Sequence, residues 1–355
     1  MALYVDIEKK LGSFRLDVQF EAGNEPISLL GASGCGKSMT LKCIAGIETP
    51  DRGRIVLDDR VLFDSEKKIN IPPQERRTGY LFQHGALFPN MNVLKNVMCG
   101  VRRKCSGAEK EKIAREMLDR MKLGGCEKLM PSMLSGGQQQ RAALARILVN
   151  EPEILMLDEP FSALDSHLRF ELERVLSEVI RDLGKTAILV SHNRDEAFRI
   201  TDKLAIMNNG RIDVYGGKKE VFADPLTRNA AAMTGCKNIA DAVITPDGRA
   251  RIDEWGITLR IPNTSKQADC IGVRMHDIHP GPGENEYIFT VADVVENPFS
   301  YTVMLSAGRD YRAIGMELEK PVWEKIRADK VQVNIPPEAV LLLTKQALKG
   351  YNGNK

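Results

Sequence analysis

The sequence predicts an α/β domain built on a mostly parallel sheet, followed by a small antiparallel all-β domain. Apolar runs at 27–30, 154–157 and 186–190 are separated by amphipathic helical stretches, the texture of buried parallel strands joined by helices. After about Gly235 the pattern changes to short apolar alternations spaced by Gly, Pro and Asp turns, as in a small β-barrel. The length of 355 residues also exceeds what one core usually holds. The expected domains are 1–235 and 236–355.

Composition narrows the partners. Hydrophobic content of 43% and charged content of 28% are those of an ordinary globular protein. A net charge of +2 gives no support for a nucleic-acid partner or for electrostatic anchoring to anionic lipid. The seven cysteines, at 35, 43, 99, 105, 126, 236 and 270, form no C-x-x-C pair and are expected as free thiols in a reducing compartment. The N-terminal stretch lacks the apolar core of a signal peptide, and no apolar run approaches membrane-spanning length.

Taken in order, Leu3, Val5 and Ile7, then Phe14, Leu16, Val18 and Phe20 after the turn at Gly12, alternate as a β-hairpin. Short strands at 54–58 and 61–63 extend it into an antiparallel flap. Phe14 is a candidate ring for stacking on a nucleobase, and equally a core strand residue. Between the apolar run at 27–30 and a helix-like stretch starting at Met39 lie Gly31, Ala32, Ser33, Gly34, Cys35, Gly36, Lys37 and Ser38. This is a phosphate-binding loop: its glycines let backbone N–H groups turn around an anion, Lys37 reaches the outer phosphates, and the Ser38 hydroxyl suits Mg²⁺.

A short strand at 79–83 ends in Gln83, which could contact a metal or an attacking water, or merely cap the strand. The stretch 106–123 is an amphipathic helix with a solvated charged face. Ser135, Gly136, Gly137 and Gln138 then open an Ala-rich helix, a second anion-binding helix terminus. Ser135 and Gln138 also fit an N-capping box, which explains them but not the paired glycines. The apolar strand at 154–158 ends in Asp158 and Glu159, placed where ligands bind a parallel sheet. Asp158 suits Mg²⁺ through water, and Glu159 suits orienting or deprotonating a water. A stretch at 162–165 caps the next helix, and a third apolar strand ends in His192, a candidate γ-phosphate contact.

With these residues assembled, the chain resembles the ATPase subunits of ABC transporters. The phosphate loop, Gln83, residues 134–141, Asp158 and Glu159, residues 162–165 and His192 are similar, in order, to the family's Walker A, Q-loop, signature, Walker B, D-loop and H-loop motifs. The resemblance covers residues 1 to about 235, and the signature separates this family from other phosphate-loop enzymes. It implies a P-loop fold with an antiparallel flap and a helical subdomain, binding ATP and Mg²⁺. It implies that two copies of the chain sandwich ATP head to tail, so that Ser135 to Gln138 and Asp165 serve the partner's site. Glu159, His192 and Lys37 are then the catalytic residues, Ser38, Gln83 and Asp158 the metal side, and Phe14 with residues 31–39 the nucleotide contacts.

The C-terminal part resembles the oligonucleotide-binding-like regulatory domain that follows the ATPase in importers of oxyanions, iron, polyamines and sugars. Segments at 272–278 and 335–340 carry this resemblance. It implies an ATPase peripheral on the cytoplasmic membrane face, working with integral membrane permease subunits and, indirectly, an extracytoplasmic substrate-binding protein. The stretch 61–77 looks most like molybdate-importer ATPases, so molybdate is the expected cargo, with sulfate, iron(III) or polyamine as alternatives. An oxyanion is the expected regulatory ligand of the C-terminal domain, with Lys237 and Asn238 as candidate contacts. His276, Asp277 and His279 read as a solvent-facing turn in preference to a metal site. A second class of reading, a soluble ABC ATPase of translation or DNA repair, would need a second cassette or long coiled-coil insertions.

Overall fold

The structure, a computed structural model, describes residues 2–83, 87–162, 164, 166–262 and 267–345, with residues 166 and 167 described by backbone alone. The chain divides into two compact units, Met1–Lys218 and Lys219–Lys355.

Among its described residues the first unit holds two sheets. One is the expected flap, of strands β1 (Leu3–Leu11), β2 (Phe14–Ala22), β4 (Arg52–Leu57), β5 (Arg60–Asp64) and β6 (Ile69–Asn70), ordered β2-β1-β4-β5-β6 and antiparallel throughout. The other contains β3 (Pro26–Gly31), β7 (Thr78–Leu81), β8 (Ile154–Asp158), β9 (Ala187–Ser191), β10 (Lys203–Asn208) and β11 (Arg211–Gly217), ordered β11-β10-β3-β9-β8-β7. Its pairings are parallel except for the antiparallel edge pair of β10 and β11.

The apolar runs are continuous because both faces of this sheet are covered, and alternate residues feed different cores. Ile154, Met156, Ile188 and Val190 pack with the flap and with helix α1 (Lys37–Ala45). Leu155, Leu157, Ala187 and Leu189 pack on the opposite side. That side is helical, with α2 (Val93–Met98), α3 (Gly107–Arg120), α4 (Gly136–Leu148) and α5 (Ser166–Leu183). In α5, Leu172, Val175, Leu176, Val179 and Ile180 are buried at helical spacing. Helix α3 starts with a capping box between Ser106 and Glu109.

Helix α1 is held at its far end by Arg76, which is fully buried. Its guanidinium donates to the carbonyls of Cys43 and Ile44 at 2.9 and 2.8 Å, to Ile71 O at 2.7 Å and to Asn70 Oδ1 at 2.8 Å. Burial lowers its pKa to about 10, still charged at neutral pH. The helix stops at Gly46, whose φ of 78° is left-handed, and a Cβ there would lie 2.5 Å from Arg76 Nε.

The second unit is β-rich around a core of its own, in which Trp255, Phe289, Trp323 and Ile335 are buried. Among the described residues its strands form two three-stranded sheets and one five-stranded sheet, consistent with the OB-like domain that the sequence predicts. Strands Ser300–Ser306 and Ile314–Glu319 and the helix Lys320–Ile326 are additions that the apolar spacing did not predict. Asn238 is buried and its amide is committed to the strand backbone, donating to Gly315 O at 2.8 Å and accepting from Gly315 N at 2.7 Å. This corrects its reading as an oxyanion contact: it is a clamp between strands. His276 pairs with Asp277 at 3.6 Å at an exposed turn. Among the described residues, no group of three or more His, Cys, Asp or Glu could hold a metal ion, and no helix is long and apolar enough to cross a membrane.

Candidate functional site

The loop between β3 and α1 is shaped by its glycines. Gly34 and Gly36 have φ of 80° and 107°, which L side chains rarely adopt. A Cβ on Gly36 would sit 2.7 Å from Leu16 Cδ1 and 3.3 Å from the Phe14 ring, and one on Gly31 would sit 2.5 Å from Met207 O. Lys37 is buried and turned back into the loop: its ammonium donates to Gly31 O at 2.8 Å and Ala32 O at 2.9 Å, with Cys35 Sγ at 3.8 Å. Ser33, Gly34, Gly36, Lys37, Ser38 and Met39 line a cavity of about 390 Å³ together with Leu11, Phe14 and Glu159. Phe14 thus belongs both to the flap and to the cavity wall.

The strand ends bring the polar groups together. Ser38 Oγ, at the start of α1, donates to Asp158 Oδ1 at 2.7 Å, and the Tyr80 hydroxyl donates to Asp158 Oδ2 at 2.8 Å. Burial, reinforced by Asp158, holds the Tyr80 hydroxyl far above the usual phenol range, so it stays a donor. A hydroxyl and a carboxylate oxygen in contact at a phosphate loop are the donor types Mg²⁺ takes when phosphate and water complete its shell, so the residues fit that ion.

Glu159 lies one residue beyond β8 with φ of 47°, a left-handed conformation that costs free energy in a non-glycine residue. The turn is fixed by Ser162, whose amide and hydroxyl both donate to Glu159 O. The carboxylate stands between two of the candidate site residues: Gln83 Nε2 donates to Oε2 at 3.3 Å, and His192 Nδ1 lies 3.6 Å from Oε1. Gln83 therefore sits against Glu159, not against the Ser38–Asp158 pair.

Below His192, Ser191 Oγ accepts from Asn193 N at 2.9 Å and donates to the buried Glu196 at 2.6 Å. Asn193 caps α6 (Arg194–Ile200), accepting from the amides of Asp195 and Glu196. Arg169 of α5 approaches Glu196 Oε1 at 3.6 Å, and Arg199 makes a bidentate pair with Glu173 at 2.8 and 2.9 Å. Burial raises the pKa of Glu196 above the ordinary carboxylate value.

The second expected anion site stands apart. Ser135 caps α4 in a complete capping box, accepting from Gln138 N at 3.3 Å while its own amide donates to Gln138 Oε1 at 2.9 Å. Ser135, Gly136, Gly137 and Gln138 do not line the cavity at the phosphate loop. Asp165 lies outside the described residues. Tyr80 and the Ser191–Glu196 contact were not anticipated; the signal for Tyr80 was its place on the strand parallel to β8, with Tyr80 opposite Met156.

Comparisons with known proteins agree with this geometry. The family described as ABC transporter matches residues 15–162. Two proteins named spermidine/putrescine import ATP-binding protein PotA are similar: that of Oleidesulfovibrio alaskensis is 41% identical over 233 residues, covering 65% of this chain and 60% of the relative. That of Bacillus thuringiensis (strain Al Hakam) is 44% identical over 216 residues, covering 61% and 64%. The matched stretch thus spans less than two thirds of these relatives. Among solved structures, cbiO1 from Clostridium perfringens, described as part of the ABC transporter complex cbiONQ, is 30% identical with a TM-score of 0.54, covering 63% of this chain and 91% of that one. The dimeric, post-hydrolysis ATP-binding cassette MJ0796 bound to ADP and Pi is 29% identical with a TM-score of 0.54, covering 61% and 99%. Phosphate loop, strand-end acids, signature helix and these likenesses converge: the chain belongs to the ATP-binding subunits of the ABC transporter family.

Proposed function

We propose that the protein hydrolyses ATP to drive an ABC importer, and that its cargo is a polyamine. The observation that carries hydrolysis is Glu159, held in a left-handed turn at the wall of the phosphate-loop cavity between Gln83 and His192. In that position its carboxylate accepts a proton from a water aimed at the γ-phosphate, Gln83 orients that water or the acid, and His192 senses the phosphate. Lys37 exchanges its carbonyl partners Gly31 and Ala32 for phosphate oxygens, adding charge to the N–H groups of the loop. Phe14 and Leu11 offer the base an apolar wall. Mg²⁺, when bound, neutralises phosphate charge, and Ser38 and Asp158 are the residues that would hold it. Gln83 joins that shell only by leaving Glu159.

The signature residues Ser135 to Gln138, together with Asp165, complete the site of a second copy of the chain in a head-to-tail dimer. This reading is supported by their absence from the cavity of their own chain and by the dimeric cassette to which the fold is similar. The ATPase region is taken as residues 1–235 and the regulatory region as 236–355. Membrane permease subunits are the partners, docking on a groove of about 470 Å³ whose wall includes Ile47, Phe82 and Phe88, all exposed. The protein then works peripherally at the cytoplasmic membrane face, with a substrate-binding protein outside.

Polyamine is preferred over molybdate because the similar relatives are named for spermidine and putrescine, whereas the molybdate reading rests on residues 61–77 alone. The test is Glu159→Gln in the assembled transporter. Turnover should fall at least about 100-fold, with an ATP-bound dimer accumulating on size exclusion; unchanged turnover would overturn the assignment. Uptake of labelled spermidine, and not of molybdate, should be lost in the same variant.

A further inference from the structure

We propose that Tyr80 is a positioning residue for Asp158, and that through its ring the wall of the apolar groove is tied to the metal side of the nucleotide site. Three contacts carry this. The Tyr80 hydroxyl donates to Asp158 Oδ2 at 2.8 Å while Ser38 Oγ donates to Oδ1 at 2.7 Å, so both carboxylate oxygens are fixed. The Tyr80 ring lies 4.5 Å from the Phe82 ring, tilted by 49°. Tyr80 and Phe82 both line the groove, and Phe82 is 43% exposed there.

Asp158 itself is buried, so its orientation is set by these neighbours and not by solvent. A metal ion that draws the Ser38 hydroxyl away leaves Tyr80 as the hydrogen bond that fixes the carboxylate's rotation, with Oδ1 still directed at the start of α1. Without that hydroxyl, Oδ2 loses its donor and the carboxylate is free to turn. Phe82 braces the Tyr80 ring from the groove side, so whatever fills the groove presses on the same ring. The continuous path runs Phe82, Tyr80, Asp158, Ser38, from an exposed surface to the phosphate loop.

The inference rests on the nucleotide reading above, and the test separates the two. ATP affinity of the full chain is measured with Mg²⁺ and with EDTA. Tyr80→Phe keeps the ring and its packing, and should lower affinity about tenfold in Mg²⁺ while leaving affinity in EDTA unchanged. Phe82→Ala should give a smaller loss, about threefold, again confined to Mg²⁺. In an Asp158→Asn background, Tyr80→Phe should have no further effect. Equal losses with and without Mg²⁺, no loss in Mg²⁺, or full additivity with Asp158→Asn would overturn the assignment of Tyr80. An effect of Tyr80→Phe without one of Phe82→Ala would overturn the link to the groove. Wild-type chain that binds no ATP in either buffer would instead overturn the nucleotide reading.

Discussion

In the first unit Ser38, Tyr80, Asp158, Gln83, Glu159 and His192 spend their polar atoms on one another. In the second, Asn238 and Asn285 spend theirs on main-chain groups: Asn285 donates to Arg260 O and Ile335 O at 3.0 and 2.8 Å and accepts from Arg260 N at 2.6 Å. The difference is one of exchangeability. A contact between two side chains can be traded for a ligand while the backbone stays put, so such a cluster can bind and release. Asn238 and Asn285 satisfy N–H and C=O groups in and beside strands and cannot let go without leaving them unpaired, so they hold strands together. Lys37 also faces main-chain carbonyls, but in the phosphate loop, where Ala32 is exposed and water or a ligand can take its place.

The largest expected effect tests the exchangeable half. Lys37→Ala removes the ammonium that would move from carbonyls to phosphate, and should weaken ATP binding roughly 100-fold, measured by displacement of a fluorescent nucleotide. The first unit should still melt cooperatively; a chain that unfolds instead would show that Lys37 is scaffold and break the contrast. Next, Asn238→Ala leaves the amide and carbonyl of Gly315 without partners, and should cost about 2–4 kcal/mol in denaturant unfolding of the second unit. ATP affinity should be unchanged, and a parallel loss of binding would break the contrast from the other side.

The smallest effect concerns Glu196, which mixes the two kinds of contact. Its folded pKa is raised, chiefly by burial, so ionising it is harder in the folded chain than in the unfolded one. The penalty is absent below the unfolded carboxylate pKa and is complete once pH has risen through the higher folded value. Glu196→Gln keeps an acceptor for Ser191 and removes the penalty, so its thermal midpoint should exceed the wild-type one by about 2 °C at neutral pH, with the gain vanishing near pH 4. A gain that persists in acid would sharpen the comparison differently, by assigning the cost to packing.

The sequence revealed the parts of the site whose chemistry is local. The phosphate loop announces itself because glycines, Lys37 and Ser38 must follow one another in the chain, and the acids at 158 and 159 because a fully buried strand must end before them. Tyr80 escaped because a tyrosine in an apolar strand reads as core, and its partner lies 78 positions away in sequence. Arg76 escaped likewise: its role as the clamp on the end of α1 depends on four acceptors gathered from Cys43, Ile44, Asn70 and Ile71. In the second unit, strand Arg249–Ile252 alternates arginine with apolar residues, with its apolar side buried, yet it contributes only two core residues. Its identity comes from pairing with strands on both sides, which no short window displays. The cargo is illegible for a different reason, since the residues that meet ATP in this reading need never meet what is transported.

In the proposed head-to-tail dimer, the cap at Ser135 has a bearing on how fast the two copies could engage. A hydroxyl offers one proton and two lone pairs. Receiving the amide of Gln138 occupies one lone pair, so the proton is still unspent while the oxygen is anchored to the helix end. An acceptor arriving at that end meets a donor whose sweep is already confined to a narrow cone, and no bond of the helix has to break first. The same contact that keeps the first turn from fraying therefore also aims a proton outward, and less ordering remains to be done at the moment of encounter.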